Sequence, residues 1–218
     1  MPERDRADPR GGDLPWESLT IPTPRGDVQA RLHLPASATA AAVMVGGVGG
    51  GFDTPGRDLY PRIAHRLAAS RVGALRVRFR NPRSLEEATA DLGVGVEQLT
   101  RRGIERVALV GHSFGGAVVV RVAARTDAVV TVVTLATQSY GAEAVSGLGD
   151  RPLLLVHGAN DRVLPAGASR SLAARASGPA DVRILPSAGH DLLEARDEVL
   201  TLVSDWLVAH LASPATRA

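Results

Sequence analysis

Short, almost unbroken apolar runs separated by longer stretches of helical period restrict this chain to very few folds. The runs occupy residues 41–45, 74–79, 107–110, 129–135, 153–156 and 182–185. Most are β-branched and nearly continuous, the pattern of parallel strands covered on both faces. Residues 57–70, 85–101, 114–125, 166–176 and 191–209 instead repeat their apolar positions at helical spacing. Ahead of them, 19–21 and 28–34 alternate around the turn-rich Thr23-Pro24-Arg25-Gly26-Asp27 and predict an antiparallel hairpin. Strand–helix alternation implies a parallel sheet with right-handed crossovers. The expectation is an α/β fold: an eight-stranded, mostly parallel sheet whose first strands are antiparallel, with helices on both faces.

At 218 residues, with no repeat and no low-complexity linker, residues 16–212 read as a single domain without a large cap. Residues 1–15, rich in Pro, Arg, Asp and Gly, read as a disordered leader. Aromatic residues make up 3% of the chain, so the core must be built from Val, Leu, Ala and Ile. The absence of cysteine excludes disulfides, thiolate metal sites and a Cys nucleophile. All 25 basic residues are Arg, which excludes Schiff-base chemistry, a P-loop lysine and a lysine general base. The pI near 9.8 accompanies a net charge of only +2, and the arginines are scattered. No nucleic-acid partner is therefore expected. No segment has the length of an apolar membrane span, and the N-terminus lacks the apolar core of a signal peptide. A cytoplasmic protein with no membrane partner is the resulting expectation, its state as monomer or homodimer left open.

In a sheet of this kind ligands bind beyond the carboxyl ends of the strands. After the run 107–110 stands Gly111-His112-Ser113-Phe114-Gly115-Gly116, followed at once by an apolar helix. Gly-x-Ser-x-Gly is a weak signal alone; between a buried strand and a helix it becomes a tight turn that lifts a serine above the sheet. A serine hydroxyl needs a base to take its proton. Of the six histidines, only His190 lies both past a strand and on a loop free to bend over the sheet. His112 and His157 read as residues that shape their turns. Asp161, in the loop after 153–156, is placed to orient the imidazole; Asp150 stands at the wrong edge and Asp191 is adjacent to the base. The chain order Ser113, Asp161, His190 is the one this sheet type uses. Two amides should hold an oxyanion: that of Phe114 and, from the loop Gly46-Gly47-Val48-Gly49-Gly50-Gly51, that of Val48. A dinucleotide loop is the competing reading of those glycines, but no acidic residue ends the next strand to take a ribose hydroxyl.

The elbow 111–115, His157-Gly158-x-x-Asp161 and Ala188-Gly189-His190 together resemble the α/β-hydrolase superfamily, and the resemblance extends over 19–211. The chain looks most like small, lid-poor serine esterases and the dienelactone-hydrolase-like branch. It departs from them in two places. Gly46-Gly47 replaces the usual His-Gly, and Arg78-Phe79-Arg80-Asn81-Pro82-Arg83-Ser84 replaces an Asp-x-Arg-Gly pattern. Dienelactone hydrolases use a Cys nucleophile, so Ser113 tilts the reading toward ordinary ester chemistry. The resemblance implies a serine hydrolase cleaving an ester, thioester or lactone of a small-molecule acyl substrate, with no cofactor and no metal. An acyltransferase, lyase or cyclase step on the same fold, or a non-catalytic binding protein, are the alternatives. Gln138 and Tyr140 are candidate pocket residues by position, and Arg80 and Arg83 are candidates to favour an anionic acyl group.

Overall fold

The computed structural model describes residues 15–52 and 54–212; the leader expected at 1–15 lies, save Pro15, outside them. The strands are β1 (Glu17–Ile21), β2 (Val28–His33), β3 (Ala40–Val45), β4 (Gly73–Arg78), β5 (Arg106–His112), β6 (Val129–Leu135), β7 (Leu153–Gly158) and β8 (Ala180–Leu185). The helices are α1 (Leu59–Ala69), α2 (Leu85–Thr100), α3 (Phe114–Ala123), α4 (Gly167–Arg175) and α5 (Arg196–Leu211). All eight strands form one sheet in the order β1-β2-β4-β3-β5-β6-β7-β8. β2 is antiparallel to both its neighbours, and the remaining pairings are parallel.

Because strand side chains alternate between faces, each central strand feeds two cores. In β3, Ala41, Val43 and Val45 join one hydrophobic cluster while Ala40, Ala42 and Met44 join the other. The first cluster is covered by residues of α2, α3 and α4, the second by those of α1 and α5. This two-sided covering explains why β3 and β7 are buried along their whole length. α3 carries four valines in ten residues, a poor helix composition, yet nine of its residues are buried. Here burial outweighs propensity.

The chain runs from β3 through α1 to β4, then returns through α2 past β3 to β5. The loops leaving β3 and β5 therefore lead to helices on opposite faces, and a crevice opens between them, as at any topological switch point. One boundary differs from the sequence reading. The last helix, expected from 191, begins at Arg196 after a short 3-10 turn at Leu193–Ala195. Leu192 adopts a left-handed conformation (φ 56°), its amide donates to the Gly189 carbonyl at 3.2 Å, and the Gly189 amide donates to Glu194 at 3.0 Å. This turn keeps His190 off the helix and over the sheet. Between β6 and β7 the only regular element is a 3-10 turn at Glu143–Leu148. No helix among the described residues is long and apolar enough to cross a membrane.

Candidate active site

Ser113 caps the turn from β5 into α3 at φ 54° and ψ −116°, a conformation an L-residue adopts only when its surroundings enforce it. The enforcement is steric. A Cβ on Gly111 would fall on the Gly115 carbonyl, and one on Gly115 would fall on the Gly46 carbonyl. Only glycine lets the strand, the helix and the neighbouring loop approach this closely. Ser113 Oγ lies 3.0 Å from Nε2 of His190, and Nδ1 of His190 lies 2.8 Å from Oδ2 of Asp161. The three residues come from the ends of β5, β7 and β8 and form one continuous relay.

The Asp161 side chain is wholly buried. Its Oδ1 accepts the amides of Val163 and Leu164, both at 2.8 Å, and its Oδ2 accepts His190 and, at 3.1 Å, Nε2 of His157. Burial pushes this carboxyl up, but the Leu164 amide, the His190 ring and the Val163 amide outweigh it and hold the group below the usual carboxylate range. Asp161 is thus an anion that still accepts from His190. Of its rivals, Asp150 and Asp191 are exposed.

Two further histidines, read from sequence as turn-shaping residues, brace this relay. His157 is buried completely; burial first of all depresses its basicity, leaving a neutral ring. Nε2 faces two acceptors, Asp161 and the Leu164 carbonyl, so it carries the proton, and Nδ1 receives the Ser169 hydroxyl at 2.8 Å. His112 is pushed down from 6.5 to about 4, chiefly by burial, and its Nε2 donates to the His190 carbonyl at 3.0 Å. The His112 and His190 rings are 5.0 Å apart. Tyr60, which drew no notice in the sequence, is buried in α1 and donates its hydroxyl to the Val45 carbonyl at 2.8 Å, where β3 ends. A tyrosine on the core face of a helix gives no sequence signal of such a contact. The pattern His157-x-x-x-Asp161, by contrast, was available.

The glycine loop after β3 lies against Ser113: a Cβ on Gly47 would stand 3.1 Å from Ser113 Cβ. The Gly50 amide closes a turn on the Gly47 carbonyl at 3.1 Å, with Val48 at its first corner and 56% exposed. α1 does not begin until Leu59, so no helix N-terminus follows these glycines and the dinucleotide reading fails. Phe114 is the first residue of α3, with its ring edge-on to Phe79 at 6.0 Å. The Gln138 amide donates to the Ser113 carbonyl at 3.4 Å, which brings that loop to the elbow; the Gln138 side chain is turned to the Tyr140 carbonyl, and the Tyr140 side chain is 78% exposed.

The arginines are placed differently from the sequence expectation. Arg80 is turned to α2, where its guanidinium meets the buried Asp91 at 2.6 Å, Glu87 at 2.9 Å and the Arg25 carbonyl. A buried carboxylate demands such a partner, and this demand orients Arg80 into the fold instead of toward an acyl group. Arg83 is exposed, with its backbone amide on Asn81. Among the described residues no cluster of His, Asp or Glu is placed to hold a metal ion.

Comparisons with known proteins bear on the fold and the family. A family model described as the dienelactone hydrolase family matches residues 51–209. No curated protein matches the chain. Among solved structures, a dienelactone hydrolase from Anabaena variabilis is 19% identical with a TM-score of 0.76, covering 90% of this chain and 98% of its own. Est1E from Butyrivibrio proteoclasticus is 16% identical at 0.77 (90% and 99% covered), and the esterase domain of a Rhodothermus marinus protein is 20% identical at 0.73 (91% and 100% covered). At such identities the structures speak for the fold, and the family match speaks for the lineage: the chain belongs to the dienelactone hydrolase family and is an α/β-hydrolase acting on ester bonds.

Proposed function

We propose that the chain is a serine esterase working through an acyl-enzyme, with Ser113 as nucleophile, His190 as base and Asp161 as its orienting anion. The observation that carries this reading is the unbroken relay from Ser113 Oγ to His190 Nε2 at 3.0 Å and from His190 Nδ1 to Asp161 Oδ2 at 2.8 Å. His190 takes the hydroxyl proton as Oγ attacks the acyl carbon, then returns it to the departing alcohol. A water, deprotonated by the same ring, releases the acid. The amides of Val48 and Phe114 receive the oxyanion; Phe114 supports this as a helix-start donor with no intrahelical acceptor. Serine stands where dienelactone hydrolases carry cysteine, which favours alkyl and aryl esters over activated lactones.

The surroundings favour a neutral, apolar acyl group. The exposed large hydrophobic residues among those described are Val48, Tyr140, Val163 and Leu193, and each lies on a loop leaving the carboxyl end of β3, β6, β7 or β8. Exposed apolar residues gathered at one edge mark a binding surface. Labelling with a fluorophosphonate, wild type against Ser113→Ala, tests the nucleophile: labelling only of the wild type is expected, and a folded wild type that does not label overturns the assignment. A p-nitrophenyl ester panel graded by chain length, with a feruloyl ester included because Est1E has been solved with ferulic acid bound, then reads the acyl preference.

A further inference from the structure

Asp161 holds one more imidazole than a catalytic triad requires. His190 and His157 both place a ring nitrogen on the same oxygen, Oδ2, at 2.8 and 3.1 Å, while Oδ1 takes the two amides of the loop. An ionised carboxylate offers about four lone-pair sites, and here all are occupied by N–H donors. Rotation about the Asp161 carboxyl, or a second position for it, would break at least one of these bonds. His157 is itself immovable. It is the penultimate residue of β7, in register with Ile184 of β8, has no exposed surface, and is held at Nδ1 by Ser169 of α4, also fully buried.

We propose that His157 is a positioning residue for the esterase reaction: as a neutral Nε2–H donor it fixes Asp161 Oδ2 on the His190 ring and moderates the pull of that carboxylate on the His190 proton. The inference rests on the Ser113–His190–Asp161 reading above. Its physical basis is competition. An oxygen that already accepts one N–H is a weaker acceptor for the next, so removing the His157 donor leaves Asp161 a stronger partner for protonated His190. The base is then aimed less well at Ser113. The other charged or titratable groups around this pair are His112, whose ring lies beside His190, Asp191 in the base loop, and Glu194, which receives the Gly189 amide. His112 is neutral above about 4, and the two carboxylates lie on the loop itself, so none of them substitutes for a donor on Oδ2.

The test compares His157→Leu and His157→Gln with the wild type on p-nitrophenyl butyrate from pH 5 to 9. His157→Leu is expected to lower kcat about 10- to 100-fold, the scale of a misaligned catalytic group. KM should change little, and the acid limb of the pH profile should be displaced from its wild-type position. His157→Gln, whose amide N–H reaches the same oxygen, is expected to return most of kcat and the wild-type limb. A leucine variant with wild-type kcat and limb, or a glutamine variant as impaired as leucine, overturns the inference. Should the leucine variant not fold, long-range nitrogen–proton spectra of histidine-labelled wild type decide instead. His157 is expected as the Nε2–H neutral form at pH 7 and above, and an Nδ1–H form or a protonated ring there overturns it. Labelling by fluorophosphonate with an unchanged leucine profile removes this inference alone, whereas a wild type that does not label removes the Ser113 reading and the inference with it.

Discussion

Asp161 and His112 show how much of this site depends on keeping one group charged and another neutral. Asp161→Asn turns one of two acceptor oxygens into an N–H donor, so the four N–H groups now held cannot all be accepted, and His190 loses its tautomer as well as its counter-charge. A fall in kcat of about three to four orders of magnitude is expected in steady-state assays, with folding by circular dichroism retained. His112 sets a pH limit on stability. Its folded pKa is depressed from 6.5 to about 4, so the unfolded chain is the better proton acceptor between those values. The corresponding stability, about 3 kcal/mol, is whole above pH 6.5 and is lost as pH falls toward 4. His157 titrates in the same sense. Melting temperature should therefore be flat above neutrality and drop through this window, with a shallower drop in His112→Gln. Parallel curves for the two proteins would show that His112 is not the group responsible.

At the scale of elements, the loops that carry Asp161 and His190 are joined by backbone as well as by side chains: the Asn160 amide donates to the Ala188 carbonyl at 3.0 Å. A Cβ on Gly158, the last residue of β7, would fall on the Ala188 carbonyl, while one on Gly189 would approach only the Glu194 carboxylate, at 3.8 Å. Gly158→Ala should thus lower the melting temperature by several degrees and Gly189→Ala hardly at all. α2 is anchored in another way: Ser84 caps it, accepting the Glu87 amide at 3.3 Å, and the buried Asp91 reaches out to Arg80. Arg80→Ala leaves that carboxylate unpaired. A loss of about 3–5 kcal/mol in denaturant unfolding is expected, with the ratio of rates on neutral and carboxylate-bearing esters unchanged. The sequence made Ser113, Asp161 and His190 legible because each follows an apolar run at the strand edge, and strand ends can be read from periodicity. It made Arg80 misleading for the same reason: position after a strand says which edge a residue occupies, not which neighbour claims its charge. The start of α5 was missed because residues 191–195 keep helical spacing while their amides and carbonyls close a separate turn.

For the molecule as a whole, one sheet with helices on both sides makes the two hydrophobic clusters interdependent, since every central strand supplies both. Trp206 lies on α5 against the second cluster, and Trp16 stacks at the opposite end of the sheet with Arg31 and Arg76. Unfolding followed by tryptophan fluorescence and by far-ultraviolet circular dichroism should give coincident midpoints; separated midpoints would mean that the sheet divides into two cooperative units. The relay also has an order in time. Ser113, Asp161 and His190 follow β5, β7 and β8, so the relay is drawn from successive portions of the chain, with His190 contributed by the loop after the edge strand. During synthesis the elbow can be shaped while the ribosome still holds residue 190, yet Ser113 has no proton acceptor until β8 has docked. On the proposed mechanism a nascent chain is therefore chemically silent, and its first turnover would report that the last strand is in place.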